Sequence, residues 1–155
     1  MNCPCKSGKR YELCCARFIT QQQRPENAEQ LMRSRYSAYA LKQAAYLKQT
    51  WHQQYRPDDL ILDINIQWLK LDVLETTSSG SEASVEFEAR FLTDGVVNAI
   101  HEKSHFICIN GQWLYTTGDI KELTFKPWKP ARNEPCPCGS LLKFKRCCQK
   151  AEDVR

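Results

Sequence analysis

The first clear pattern of apolar and polar positions lies between residues 25 and 51. Apolar side chains recur there at steps of three and four residues, so they share one side of a helix, while most polar side chains fall elsewhere. Pro25 suits the start of this helix, and the periodicity weakens near Gln43, where we predict a break. The apolar stripe consists of Ala28, Leu31, Met32, Tyr36, Tyr39 and Ala40.

From residue 68 onward apolar and polar residues alternate, which is typical of β-strands with one buried face. The dipeptides Asp94-Gly95 and Asn110-Gly111 separate the later runs and are strong signals for tight hairpins. The stretch 58–66 also alternates, but a short buried helix fits it equally well. Helices followed by an antiparallel meander predict an α+β fold. The predicted strands are 69–73, 85–91, 97–109 and 113–117.

One face of the third predicted strand combines a carboxylate with apolar side chains. Glu102 alternates with the residues of the other face, so we expect it to point inward, where a charge is costly without a partner. Three interpretations stay open: a structural ion pair with an arginine of the helix, a ligand pocket, or catalysis with Glu102 as general base. The candidate pocket consists of Glu102, Ser104, Arg33, Arg35, Tyr36, Tyr39 and Trp51.

The length of 155 residues suits about one domain, and residues 25–128 are enough to bury a core of their own. The sequence shows no positively charged start followed by an apolar run, and no stretch near the ~20 apolar residues that span a bilayer. We therefore expect a protein that is neither exported nor membrane-spanning, and we predict that it is cytoplasmic.

The two ends of the chain share one pattern. "CPCKSGKRYELCC" occupies residues 3–15 and "CPCGSLLKFKRCC" occupies residues 136–148. Paired cysteines at fixed spacing in a reducing compartment favour metal binding over disulfides. Zinc takes four sulfur or nitrogen ligands and each copy supplies four sulfurs, although iron also suits sulfur-rich sites. The predicted ligands of two ions are Cys3, Cys5, Cys14 and Cys15, then Cys136, Cys138, Cys147 and Cys148.

The formal charge of +4 by itself suggests a nucleic-acid partner. However, a divalent ion held by four thiolates is a unit of negative charge, because metal binding requires deprotonated sulfur. Two such units offset the whole positive excess, so the basic residues near the cysteines gain a local role. Nucleic-acid binding is therefore the less favoured alternative to a protein partner.

With these cysteines, both ends resemble the SEC-C motif, the zinc knuckle at the C-terminus of the preprotein translocase ATPase SecA. The resemblance implies metal-ligand roles for all eight cysteines. Two positions depart from the usual Cys-Pro-Cys-Gly-Ser-Gly, since Lys6 replaces the first glycine in one copy and Leu141 replaces the second in the other. In SecA the similar motif docks partners of the export pathway, which implies a protein partner here.

The order of helices and meander is similar to the nuclear-transport-factor-2-like (NTF2-like) fold, in which a curved sheet wraps around helices to form a cone. With "LMRSRYSAY" and "NGQWLY" between two SEC-C motifs, the whole chain resembles the YchJ-like bacterial proteins. This implies a knuckle in residues 1–20, an NTF2-like domain in 25–128 and a second knuckle in 133–150. We interpret the protein as a nonenzymatic metal-binding adapter in protein targeting or translation. The alternative is a small-molecule-binding protein or enzyme that uses the cone around Glu102.

The link "FKPWKPARNEP" before the second knuckle contains three prolines and several charges, which is typical of an extended tether. We expect this C-terminal knuckle to be the principal partner-binding module, with little contact to the core. The alternative is that the link folds back and joins both knuckles into one clamp.

Overall fold

The computed structural model describes residues 1–122 and 125–153, without the side chains of residues 151–153. None of the helices in these ranges is long and apolar enough to cross a membrane. The elements follow the predicted order of helices and then strands, with a short 3₁₀ turn in each knuckle. They are a 3₁₀ turn at Tyr11–Leu13, α1 (Ala16–Ile19), α2 (Ala28–Ala40), α3 (Ala44–Gln49), β1 (Gln67–Ser79), β2 (Glu82–Thr93), β3 (Val96–Ile109), β4 (Gln112–Ile120), a 3₁₀ turn at Phe144–Arg146 and α4 (Cys148–Asp153).

The four strands form one curved antiparallel sheet in the order β1-β2-β3-β4, which confirms the predicted α+β meander. Both predicted Gly-containing hairpins are present. Asp94 and Gly95 have φ angles of 51° and 77°, and Asn110 and Gly111 have 53° and 77°. Two successive positive φ angles make a tight turn whose twist matches that of the flanking strands.

The helix α2 begins after Asn27 rather than at Pro25. The Asn27 side chain accepts a hydrogen bond from the backbone N–H of Gln30 at 2.9 Å and so satisfies one of the free donors of the first turn. The predicted break is confirmed, because α2 ends at Ala40 and α3 begins at Ala44. Residues 58–66 form neither a strand nor a helix, so neither predicted alternative is correct there.

The helix α2 is buried on more sides than its apolar stripe predicts. One side faces the sheet, but the serines on its other sides are buried as well. The Ser34 hydroxyl shares a hydrogen bond of 2.7 Å with the Tyr46 hydroxyl of α3. The Ser37 hydroxyl lies 3.5 Å from the sulfur of Cys3. Hydrogen bonds to α3 and to the N-terminal knuckle therefore replace water on the polar side of the helix.

A β-bulge in β1 gives one end of the sheet two apolar faces. The pairing of β1 with β2 shifts just after Trp68, which leaves Leu69 as an extra residue. Leu69 consequently joins Leu92 and Val97 in one buried cluster, whereas Leu71 belongs to the cluster that includes α2. We call the side of the sheet that carries α2 the helix face and the opposite side the outer face.

The C-terminal knuckle packs on the outer face, so the expectation of a tether with little core contact is wrong. Cys136 and Phe144 of the knuckle are buried in one cluster with Leu92 and Val97. The link also contributes, because the backbones of Trp128 and Val97 exchange N–H···O bonds of 2.8 and 3.3 Å. The N-terminal knuckle packs on the helix face. The two knuckles thus lie on opposite faces of the sheet and do not form the alternative single clamp.

We predict that Leu92→Ala lowers the free energy of unfolding by about 2–4 kcal/mol, the usual cost of truncating a buried leucine. Leu92 is 1% exposed and lies between the sheet and the C-terminal knuckle. The control is Leu74→Ala, at a β1 position that is 52% exposed, for which we expect a change of about 0.5 kcal/mol or less. Urea unfolding followed by tryptophan fluorescence measures both. Equal, small effects of the two substitutions would contradict the packing of the knuckle on the outer face.

Candidate functional site

The four sulfurs of each knuckle lie close enough to share one metal ion. In each cluster all four Sγ atoms lie within 4.8 Å of one another. The Sγ atoms of Cys5 and Cys14 are 3.7 Å apart, and those of Cys138 and Cys147 are 3.5 Å apart. A tetrahedral zinc ion with Zn–S distances of about 2.3 Å separates its sulfurs by about 3.8 Å. The clusters therefore fit a four-coordinate ion whose ligands are all cysteine sulfurs.

The two knuckles hold their cysteines with the same backbone hydrogen bonds. The first cysteine donates its N–H across the turn, from Cys3 to the Lys9 carbonyl at 2.9 Å and from Cys136 to the Leu142 carbonyl at 2.8 Å. The third cysteine of each copy closes the 3₁₀ turn with a bond of 3.0 or 3.1 Å to the aromatic residue three positions earlier. The sequence repeat is therefore a structural repeat.

The two departures from the SEC-C pattern preserve the shape of the turn. Lys6 has a φ angle of 64°, where the C-terminal copy has Gly139 at 83°. Leu141 has a φ angle of 71°, where the N-terminal copy has Gly8 at 85°. The turn therefore requires a left-handed backbone conformation at both positions. In each copy a glycine adopts it at one position without strain, and Lys6 or Leu141 adopts it with strain at the other.

A serine hydroxyl supports the same cysteine in each knuckle. The Oγ atoms of Ser7 and Ser140 lie 3.2 Å from the Sγ atoms of Cys14 and Cys147. Burial raises the pKa of the Cys138 thiol, but hydrogen bonds from Ser140 and from neighbouring sulfurs outweigh this effect and lower the pKa to about 7. At Cys138 these hydrogen bonds favour the thiolate, which is the form that binds metal.

The pKa values of three further thiols, those of Cys3, Cys15 and Cys148, show the effect of crowding. Hydrogen bonding to Cys15 lowers the pKa of Cys3, while hydrogen bonding to Cys3 raises the pKa of Cys15. Burial, with further contributions from the neighbouring sulfurs, raises the pKa of Cys148. Sulfurs that have mainly one another as partners retain some of their protons, and a divalent ion must displace those protons to bind.

Arg33 lies at the N-terminal knuckle and not in the pocket to which the sequence assigned it. Its guanidinium donates a 3.1 Å hydrogen bond to the Cys5 carbonyl and forms an ion pair of 3.1 Å with Glu29. This contact fastens α2 to the turn that carries the first two cysteines. It also places a positive charge beside a cluster that becomes negative on binding metal.

A cavity of about 260 Å³ lies between α2 and the helix face of the sheet. Five of the seven predicted pocket residues line it, namely Arg35, Tyr36, Tyr39, Glu102 and Ser104. Trp51 is not in the lining. Its ring packs edge-to-face against Tyr115, and its indole N–H donates to the Thr116 carbonyl at 3.1 Å. The predicted pocket lacks four aromatic side chains of the lining, Trp68, Phe87, Phe106 and Tyr115.

Glu102 forms no ion pair within the ranges that the structure describes, so the predicted pair with an arginine is not present. Its carboxylate accepts a hydrogen bond of 3.3 Å from the Tyr115 hydroxyl. Burial raises the pKa of Glu102 above the usual range. Arg35 lines the same cavity, but it donates to the Leu47 carbonyl and the Thr50 hydroxyl, both at 2.8 Å, at the end of α3.

Gly118 provides the space that the Glu102 carboxylate occupies. A Cβ atom at this position would overlap the Glu102 Oε1 atom and would lie 2.9 Å from the Tyr115 hydroxyl oxygen. An irregularity in the pairing of β3 with β4 after Ser104 brings Tyr115 and Gly118 to the same face. A glycine in a strand signals such a close approach, but the predicted fourth strand ended one residue before it.

The curved sheet around a central helix and the two four-cysteine clusters together define a SEC-C-motif protein with an NTF2-like middle domain. The family model described as "YchJ, middle NTF2-like domain" matches residues 27–118, and the SEC-C motif model matches residues 132–150. The chain belongs to this YchJ-like family, as its motifs predicted. A UPF0225 protein of Enterobacter sp. (strain 638) is 40% identical over 153 residues, which cover 94% of this chain and 96% of that protein.

Two solved structures are similar to this one. The solution structure of a SEC-C motif containing protein from Rhodopseudomonas palustris has a TM-score of 0.71 at 36% identity and covers 79% of this chain and 100% of its own. The crystal structure of a SEC-C motif containing protein from Psychrobacter arcticus has a TM-score of 0.66 at 30% identity, with coverage of 96% and 95%. Both likenesses support the same architecture.

We predict that Leu141→Gly stabilises the C-terminal knuckle. Leu141 is 94% exposed and has a positive φ angle, so glycine relieves backbone strain while little packing is lost. The gain should be about 0.5–1 kcal/mol, because the entropy that glycine loses on folding offsets part of the relief. Leu141→Ala is the control, since it removes the same side chain but keeps the Cβ and should bring no gain. Competition with a metal chelator measures the retention of the ion in each variant, and equal retention would contradict the prediction.

Proposed function

We propose that this protein is a zinc-binding adapter whose knuckles organise the chain and present a surface to a protein partner. The observation that carries the proposal is the pair of four-sulfur clusters, each built on the same turn and each packed against the central sheet or its helix. Sites in which the protein supplies all four ligands are typical of structural zinc, because no position is left for a substrate. Iron has similar ligand preferences and is the alternative metal.

The exposed rim of the C-terminal knuckle supports a docking role. Leu141 and Leu142 are 94% and 52% exposed, and the exposed side chains of Lys143 and Arg146 follow them. An apolar spot beside positive charges suits a protein segment that combines apolar and acidic residues. Because metallated knuckles carry little net positive charge, we favour a protein over a nucleic acid.

The proposed setting is the cytoplasm, where a reducing environment keeps thiols available for metal. The SEC-C motif of SecA provides the analogy for a role in protein targeting or translation. The analogy suggests a class of partner, but a shared motif does not determine function. The exposed residues of this chain determine which protein binds.

We predict that the purified protein carries about two zinc ions per chain. Replacing Cys136 and Cys138 together with serine should reduce the content to about one, since each cluster holds one ion. Cys108→Ser is the matched control and should leave the content unchanged, because Cys108 lies outside both clusters. Elemental analysis after anaerobic purification measures the metal. If the protein carries iron in place of zinc, the metal assignment changes to iron. A purified protein without any metal would overturn the proposal.

We further predict that a change in the rim abolishes partner capture without loss of metal. The test variant is Leu141→Ser with Leu142→Ser, and the control is Lys9→Ser with Leu13→Ser on the exposed rim of the N-terminal knuckle. Tagged full-length protein is used for affinity capture from native lysate, and the captured proteins are then titrated individually. The first variant should lose the partner that the wild type and the control retain. Unchanged affinity of the first variant would contradict a docking role for this rim.

A further inference from the structure

The two cysteine clusters differ in how far solvent reaches their sulfurs, although they share one backbone turn. In the N-terminal cluster all four cysteines are buried, and the second of them, Cys5, is 0% exposed. In the C-terminal cluster Cys136 and Cys148 are buried, but Cys138 and Cys147 are only half-buried. Cys138 holds the same place in its copy as Cys5 does in the other, so the clearest contrast lies at the second cysteine.

The packing of each knuckle explains this difference. At the N-terminal knuckle Arg33 of α2 donates to the Cys5 carbonyl at 3.1 Å, and all four cysteines belong to the buried cluster of the helix face. The C-terminal knuckle buries only its first and last cysteines in the cluster of the outer face. Its two middle cysteines lie at the border of that cluster. A small reagent in water therefore reaches this middle pair more easily than any sulfur of the N-terminal cluster.

The accessible sulfurs are also placed to react with each other. The Sγ atoms of Cys138 and Cys147 lie 3.5 Å apart, and the two residues are nine positions apart in the chain. The neighbouring Cys147 and Cys148 sulfurs are 4.0 Å apart, but adjacent cysteines bridge only in strained geometry. Oxidation of a thiolate follows its exposure, and the sulfenic acid that forms condenses with a second thiol beside it.

We propose that Cys138 and Cys147 are an oxidation site, at which hydrogen peroxide opens the C-terminal metal centre while the N-terminal centre stays intact. The Cys138 thiolate attacks one oxygen of the peroxide, so that an S–O bond forms, the O–O bond breaks and hydroxide leaves. The Cys147 thiolate then attacks the sulfur of this sulfenic acid, so that an S–S bond forms, the S–O bond breaks and a second hydroxide leaves. The two sulfurs lose two electrons, the peroxide gains them, and two protons from solvent convert both hydroxides to water.

The disulfide removes two of the four ligands of the C-terminal cluster. Cys136 and Cys148 remain, and two sulfurs are too few for a structural metal site. The serines do not account for the selectivity, because Ser7 and Ser140 lie at the same distance of 3.2 Å from the third cysteine of their own copy. The proposal rests on the metal binding that is part of the proposed function, and it does not require the protein partner.

The test follows zinc release from the zinc-loaded full-length protein with a chromogenic chelator. Hydrogen peroxide should release about one ion per chain, and the second ion should leave at least about tenfold more slowly. Mass spectrometry of peptides, after alkylation of the remaining thiols, should find a Cys138–Cys147 disulfide and alkylated N-terminal cysteines. A dithiol reductant with added zinc should restore the original metal content. Equal release of both ions, or release without this disulfide, would overturn the proposal.

The matched variants are Cys138→His and Cys108→Ser. Histidine is a zinc ligand without a sulfur to oxidise, so Cys138→His should lose its C-terminal ion about tenfold more slowly than wild type in peroxide. Cys108 is half-buried and lies outside both clusters, so Cys108→Ser should behave as wild type. Release from Cys138→His at the wild-type rate would contradict the assignment. If this variant holds one ion only, the disulfide mapped in the wild type decides the same point.

Elemental analysis before the addition of peroxide separates this proposal from the adapter role. A protein that binds no metal overturns both. A protein that carries both ions but forms other disulfides, or oxidises its N-terminal cysteines first, overturns the oxidation site and leaves the adapter role intact.

Discussion

The structure depends on holding four thiolate sulfurs close together at each end of the chain. Negative sulfurs repel one another, and burial increases the cost of their charge. The N-terminal cluster meets this constraint by packing against α2, where Ser37 contacts Cys3 and Arg33 holds the Cys5 carbonyl. The polar side of the central helix thus supports the N-terminal cysteine cluster and lies away from solvent.

The C-terminal cluster meets the same constraint on the other side of the sheet. A short knuckle has too little apolar surface to fold alone, so Phe144 and the cysteines share a core with Leu92 and Val97 of the sheet. Both cysteine clusters consequently belong to the packing of the NTF2-like domain. Loss of either ion should disturb the domain as well as its own knuckle.

Local signals account for the parts of the structure that were predicted from sequence. The Cys-Pro-Cys and Cys-Cys pairs identified both clusters, and Asp94-Gly95 and Asn110-Gly111 identified the hairpins, because each depends on residues adjacent in the chain. The bulge at Leu69 and the irregular pairing after Ser104 have no local signature, and they decide which side chains share a face. The arginines show the same limit, since Arg33 and Arg35 are two residues apart but serve the N-terminal knuckle and α3 respectively.

The prolines of the link were misleading for a related reason. Proline restricts the backbone but does not prevent a neighbouring residue from pairing, and Trp128 pairs with Val97 between two prolines. The knuckles, the central helix and the sheet therefore form one connected body.

Differential scanning calorimetry with and without a zinc chelator tests most directly whether the metal centres are part of the core. The account predicts a single cooperative transition for the metal-loaded protein, and a transition of the central domain at lower temperature after chelation. The reason is that metal removal releases contacts on both faces of the sheet. A central transition that stays at the same temperature after complete removal of the metal would contradict it.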